Sequence, residues 1–172
     1  LDLTQIMFQA LFGGTAQQQK PPEPECMTHF EAAIRKMQQG QQEEAYQGFK
    51  YSIELDDEYK IEHRTSPLMK LLESMEKYEE MLQIITKLQI KKPNALGFLI
   101  WKGVALRHLE RMDECTECFA KAVEVQPNNE MFVTLYNSVL IATAKWEKFL
   151  EVNKKMIEYK PMGGSYHNNY IQ

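Results

Sequence analysis

The chain has 172 residues, of which 44% are hydrophobic and 26% charged, with 8 glycines and 7 prolines. This composition excludes a mostly disordered chain and fits a globular protein long enough to bury a core. The net charge of -4 comes from 24 acidic and 20 basic residues spread along the chain, so no broad positive field exists to hold a nucleic-acid backbone, and we expect no nucleic-acid partner.

Residues 1–14 predict a short amphipathic helix, followed by a polar, proline-rich linker at residues 15–25. The apolar face consists of Leu1, Leu3, Ile6, Met7, Ala10 and Leu11. A helix of about a dozen residues is marginal alone, so its apolar face is expected to rest on the rest of the chain or on a partner. The chain begins at Leu1 rather than Met, which suggests a fragment or a processed form and leaves open an anchor or targeting segment outside it.

Apolar residues recur at helical spacing in eight successive segments, and no segment alternates as a half-buried strand does. The predicted helices span residues 27–38, 43–55, 67–76, 78–90, 95–109, 113–125, 129–144 and 146–159. Ser66 before Pro67 is typical of a helix start, as are the asparagines that follow Pro93 and Pro127. The longest apolar stretch, residues 95–106, is interrupted by Lys102 and is too short to span a membrane.

Pro93, Pro127 and Pro161 lie 34 residues apart, and a fixed period of this size indicates stacked structural repeats. Between Pro93 and Pro127, small and large residues follow an order suited to a helical hairpin. Gly103 and Cys115 are small where two helices would cross closely, and Phe119 fills the seam between them. Ala122 would let the next helix approach, and Pro127 would end the second helix.

This order of residues resembles the tetratricopeptide repeat family, whose unit has about 34 residues and the signature W-x2-L-G-x2-Y, A-x3-F, P. The implied repeats are 26–59, 62–95, 96–129 and 130–163. The first keeps Ala45 and Phe49, the second keeps Pro93, and the fourth keeps Pro161 but has Asn153 at the aromatic position. The resemblance implies an all-α, right-handed solenoid of about four hairpins over residues 26–163, with a flexible tail at residues 164–172.

The resemblance also implies a concave groove, lined by the first helix of each hairpin, that binds a segment of a partner protein. The groove positions carried over from the family are Phe30, Ile34, Met37, Lys70, Glu73, Ile100, Val104, Arg107, Thr134, Ser138 and Ile141. Relatives that hold the acidic C-terminus of cytosolic chaperones use lysine and asparagine where this chain has Phe30 and Ile34. A carboxylate clamp is therefore not expected, and the alternative for each groove residue is simple packing between repeats.

Cys115 and Cys118 form the clearest chemical motif, because their spacing puts both sulfurs on one helix face after His108. Zinc prefers four ligands, and no second pair of cysteines or histidines lies nearby in the sequence. A redox pair would need exposed thiols at a helix N-terminus after a strand. We interpret Cys115 as a small residue at a helix crossing and expect no metal or other cofactor. The chain has only three cysteines, which favours a reducing intracellular compartment.

The sequence contains no glycine-rich phosphate loop, nucleophile elbow or paired catalytic carboxylates, so we do not expect an enzyme. The expected function is that of a non-catalytic protein-protein interaction scaffold, located in the cytoplasm, with an organelle or a cilium as the alternative location. One alternative is a structural subunit fixed among its neighbours in a large mitochondrial or ciliary assembly. A second is a metal- or thiol-dependent protein that uses Cys115 and Cys118.

Overall fold

A computed structural model describes residues 24–159, which form eight α-helices and no strand. The helices are α1 (Glu25–Gln38), α2 (Gln42–Leu55), α3 (Ile61–Ser74), α4 (Tyr78–Lys91), α5 (Leu96–His108), α6 (Met112–Val125), α7 (Glu130–Ala142) and α8 (Trp146–Tyr159). Each packs against the next, and α3 also contacts α5. The helices therefore form four hairpins in a row rather than a bundle around one centre. The predicted N-terminal helix and the tail after residue 163 lie outside the described residues, as does the linker up to residue 23.

The prediction for the third helix was wrong. It placed the helix start at Pro67 with Ser66 as its cap, whereas α3 begins at Ile61 and contains Pro67 in its interior. Ile61, Arg64 and Thr65 in the first two turns are all buried. Their packing offsets the helix hydrogen bond that Pro67 cannot donate. The other predicted helices begin and end within two residues of the observed ones.

The 34-residue period that the prolines indicate recurs in contacts between hairpins. The Tyr46 hydroxyl donates a hydrogen bond to the Glu80 carboxylate, 34 residues later in the chain. The Lys91 ammonium lies 2.6 Å from the Asp57 carboxylate, at the same separation. Burial and the Glu80 carboxylate both raise the pKa of Tyr46 above its usual value, so this phenol remains a donor at neutral pH.

Within the hairpins, small residues stand where two helices cross. A Cβ atom on Gly103 would lie 2.5 Å from the Phe119 ring, and one on Gly48 would lie 2.9 Å from the Ala33 side chain. The thiol of Cys115 donates a hydrogen bond of 3.2 Å to the Gly103 carbonyl oxygen, because the two backbones approach this closely. The structure thus places Gly103, Cys115 and Phe119 at one crossing between α5 and α6.

The fourth hairpin replaces the glycine and phenylalanine of this crossing with two asparagines. Asn137 and Asn153 each stand 34 residues after Gly103 and Phe119. Both are buried, and their amides exchange hydrogen bonds of 3.0 and 3.3 Å. Asn153 also donates to the Phe149 carbonyl oxygen at 2.7 Å. This pairing explains how the hairpin accepts a polar residue at the aromatic position, since buried amides are stable when their polar atoms are paired.

Arg64 joins the first two hairpins and is 0% exposed. Its guanidinium donates to the carbonyl oxygens of Tyr59, at 2.8 Å, and of Ser52 and Asp56. These acceptors lie at the C-terminal end of α2 and in the turn after it, where unpaired carbonyl groups and the helix dipole favour a cation. Arg64 therefore fixes the direction in which α3 leaves the first hairpin.

We expect Arg64→Met to lower the free energy of unfolding by about 3 kcal/mol, because it leaves buried carbonyl oxygens without a donor. Urea denaturation followed by circular dichroism would measure this loss. Arg35→Met on the exposed face of α1 is the matched control and should change little. An Arg64→Met variant as stable as the control would contradict this role of Arg64.

We expect Gly103→Ala to destabilise the chain by about 1–3 kcal/mol, because the new methyl group overlaps the Phe119 ring. Gly97→Ala on the same helix is the control, since its Cβ would have only Glu62 within 4 Å, at 3.7 Å. Combining Gly103→Ala with Phe119→Leu should recover part of the loss, as measured by thermal unfolding. Equal melting temperatures for the two alanine variants would argue against a tight crossing.

Candidate functional site

The eleven predicted groove residues lie on the first helix of each hairpin, which is α1, α3, α5 or α7. Their exposure changes along the stack. On α1, Phe30 is buried and its two neighbours are half-buried, whereas on α7 all three predicted residues are exposed. The name groove is used below for the predicted residues other than Phe30, which are Ile34, Met37, Lys70, Glu73, Ile100, Val104, Arg107, Thr134, Ser138 and Ile141.

Phe30 is placed in the core rather than on an open surface. It is 5% exposed, and its ring centroid lies 5.7 Å from that of Phe49 and 5.4 Å from that of His63. Because it fills the space between α1, α2 and α3, truncating it would remove core contacts as well as any groove surface. For this residue, packing between repeats describes its place in the structure.

The apolar part of the groove lies on three of the four first helices. Ile34 and Met37 on α1 are half-buried and pack against the main core. On α5, Ile100 packs beside a small cluster of Leu99, Ala122 and Phe132, and Val104 is half-buried. On α7, Ile141 is 49% exposed. Apolar side chains that stay partly in contact with water can gain from burial against a partner.

The polar part of the groove lies mainly on α3 and at the end of α5. Lys70 and Arg107 are exposed, and Glu73 is half-buried. His63, which the sequence analysis missed, stands seven residues before Lys70 on the same face of α3 and is exposed. Helical spacing from Lys70 could have found it. Basic groups therefore outnumber acidic ones at this part of the groove.

Cys115 and Cys118 are both buried. Burial, and secondarily the neighbouring Cys118, raises the pKa of the Cys115 thiol to about 11. Burial is also the main cause of the raised pKa of Cys118. Both thiols stay protonated at neutral pH, which disfavours their use as nucleophiles or metal ligands. Residues 24–159 contain no cluster of three or more His, Cys, Asp or Glu side chains that could hold a metal ion.

Two clefts lie between successive second helices and share no residue with the groove. One, of about 340 Å³, lies between α6 and α8 and is lined by Val123, Tyr136 and Lys148 among others. The other, of about 230 Å³, lies between α2 and α4. Both are open depressions at equivalent places in the stack. None of the helices in the described part of the chain is long and apolar enough to cross a membrane.

No family model and no curated protein matches this sequence. Solved structures do match. A double mutant of MamA RS-1 is similar to this chain with a TM-score of 0.66 and 17% identity, over 84% of this chain and 80% of MamA. A tetratricopeptide repeat protein from Parabacteroides merdae is similar to this chain with a TM-score of 0.72 and 10% identity. The match covers 84% of this chain and 57% of that protein.

A third similar structure is the first tetratricopeptide repeat domain of Spaghetti (RPAP3) bound to the HSP90 peptide SRMEEVD. Its TM-score is 0.61 at 14% identity, over 69% of this chain and 93% of that domain. At these identities the likeness concerns the fold. Together with the eight helices and the 34-residue contacts, it confirms the fold that the sequence predicted: residues 24–159 of this chain form a tetratricopeptide-repeat-like α-solenoid of four helical hairpins.

Proposed function

We propose that this chain is a non-catalytic scaffold that binds a segment of a partner protein along the groove. The observation that carries the proposal is the row of partly exposed side chains on all four first helices, which includes apolar residues on α1, α5 and α7. A row of this kind spans several hairpins and suits an elongated ligand better than a small molecule. The peptide-bound domain of RPAP3 supports peptide binding as a use of this fold.

The chemistry of the groove favours a segment that presents apolar side chains together with acidic ones. Ile141 and Val104 offer apolar surface, and Lys70 and Arg107 offer positive charge nearby in the stack. Chaperone-binding relatives use a polar residue at the position of Ile34 on α1. Because an isoleucine side chain donates no hydrogen bond, a C-terminal carboxylate would not be held there. The partner is therefore expected to bind through an internal amphipathic segment.

The proposal includes a location in a reducing intracellular compartment. All three cysteines are free thiols and are buried. No disulfide is needed to hold the hairpins, because each hairpin buries its apolar face against the next.

The test uses exposed groove residues, so that the fold is left intact. Peptides of 16 residues would be selected from a random library on the purified chain, and their affinities would be measured by fluorescence anisotropy. The double variant Arg107→Glu/Ile141→Asp should lower the affinity for the selected peptides by about 10-fold or more, because it reverses one charge and places another charge in apolar surface.

The matched control is Ile90→Asp, since Ile90 is 81% exposed and lies outside the groove. This control should bind the selected peptides as the wild type does. Selected peptides that bind the double variant and the wild type equally well would contradict the proposal, provided that both show the same helical circular dichroism.

A further inference from the structure

Two of the three junctions between hairpins share one arrangement of charges. An acidic residue at the start of a second helix faces a basic residue in the turn of the next hairpin. Glu43 lies 3.7 Å from Lys77, and Asp113 lies 2.9 Å from Lys145. At the middle junction, Arg111 pairs instead with Glu114 of its own hairpin at 2.7 Å, and the charge of Glu79 adds only a smaller part to the raised pKa of Arg111. Exposed pairs add little stability, but they select the neighbour and its register.

The three junctions also share a buried side chain three residues after the acidic residue, and at two of them the side chain one residue before the acidic residue is half-buried. At the middle junction these are Tyr78 and Leu82. The Tyr78 ring stacks on His108 of α5, with centroids 4.2 Å apart and 3° between planes, and Leu82 is buried. The equivalent residues of the first hairpin are the exposed Gln42 and the buried Tyr46, and those of the third are the half-buried Met112 and the buried Thr116. Each next hairpin thus covers the position three residues after the acidic residue.

In the fourth hairpin, no further hairpin covers the same three positions among residues 24–159. They hold Trp146, Glu147 and Leu150, and we call this set the end face. Trp146 is 54% exposed and Leu150 is 48% exposed. Glu147 has no ion pair within residues 24–159. The end face therefore offers the half of a junction that a further hairpin would complete.

The other end of the stack does not provide the matching half. The turn of the first hairpin has Gln41 where the later turns have Lys77, Arg111 and Lys145. The exposed residues of α1 are polar, among them Thr28, Glu31 and Arg35. Within residues 24–159, a second copy that stacked head to tail would thus place Gln41 rather than a cation in the turn that meets Glu147, and no exposed apolar residue of α1 against Trp146.

We propose that the end face binds a helical hairpin of another protein, whose first helix lies antiparallel to α8. That helix carries an aromatic or apolar residue near its C-terminal end, which covers Trp146 and Leu150. A lysine or arginine in the turn that follows pairs with Glu147. This surface is separate from the groove, so the scaffold has two independent sites for partners.

The test uses a probe taken from the chain itself. A lactam-stapled peptide copies residues 96–111, the helix and turn that cover Tyr78 and Leu82 and include His108 and Arg111. The peptide has phenylalanine in place of Trp101 and carries a fluorophore. Its binding to the full chain is measured by fluorescence anisotropy, with helicity of the peptide checked by circular dichroism.

The peptide should bind the wild-type chain saturably, and Trp146→Ala or Leu150→Asp should weaken it by about 10-fold or more. Glu147→Lys should weaken it less, and a peptide with Arg111→Glu should regain affinity for that variant, because the charges are then complementary again. Val125→Asp is the matched control, since Val125 is 49% exposed and lies outside the end face. It should bind as the wild type does.

Three results would overturn the proposal. The first is a lack of saturable binding to the wild-type chain, and the second is equal binding by the end-face variants and the Val125→Asp control. The third is a wild-type dimer in light scattering that Leu150→Asp converts to a monomer, because the occupant would then be a second copy. The groove variant Arg107→Glu/Ile141→Asp should keep full affinity for the peptide, so failure of this site and failure of the groove are distinguishable.

Discussion

Two helices can form a hairpin of this kind only if their side chains fit at the point where they cross. Three hairpins show how the crossing is filled. Gly48 lies against Ala33 in the first hairpin, the Phe119 ring lies against Gly103 in the third, and the amides of Asn137 and Asn153 pair in the fourth. The chemistry varies, but the space between the helices is filled each time.

A filled crossing does not make a hairpin stable alone, because each hairpin still has an apolar side. The junctions cover that side. Tyr46 is buried beneath the second hairpin, where its hydroxyl meets Glu80 and the Lys77 ammonium lies 4.9 Å from its ring centre. Arg64 performs a related function in the connection to α3, where it satisfies the end of α2. Stability of the stack is thus shared between crossings and junctions, as in other one-dimensional repeat folds.

The sequence predicted the parts of the fold that local pattern controls. Helical spacing, the proline period and the small residues of the third hairpin predicted eight helices in four hairpins. The start of α3 was wrong because Pro67 is a strong local signal, whereas Ile61 and Arg64 act through contacts distant in sequence. Arg64 was missed for the same reason. A buried arginine is rare, and no local pattern distinguishes it from a solvated one.

The candidate site was less predictable than the fold, since family spacing assigns a face of a helix but not its exposure. Phe30 occupies a groove position by register and is nevertheless buried, because His63 of the next hairpin packs against its ring. His63 has no counterpart in the family signature. Exposure along the groove depends on which neighbour packs against each helix, and the terminal hairpin has a neighbour on one side only among the described residues.

That asymmetry also connects the fold to function. Leu82 and Leu150 occupy equivalent positions in their hairpins, yet Leu82 is buried and Leu150 is exposed. The difference lies in the neighbour, since the two helices have the same length of 14 residues. An apolar side chain kept at an open junction position gains free energy only when a further helix covers it. The same packing rule that joins the four hairpins therefore makes the end of the stack a surface suited to another helix.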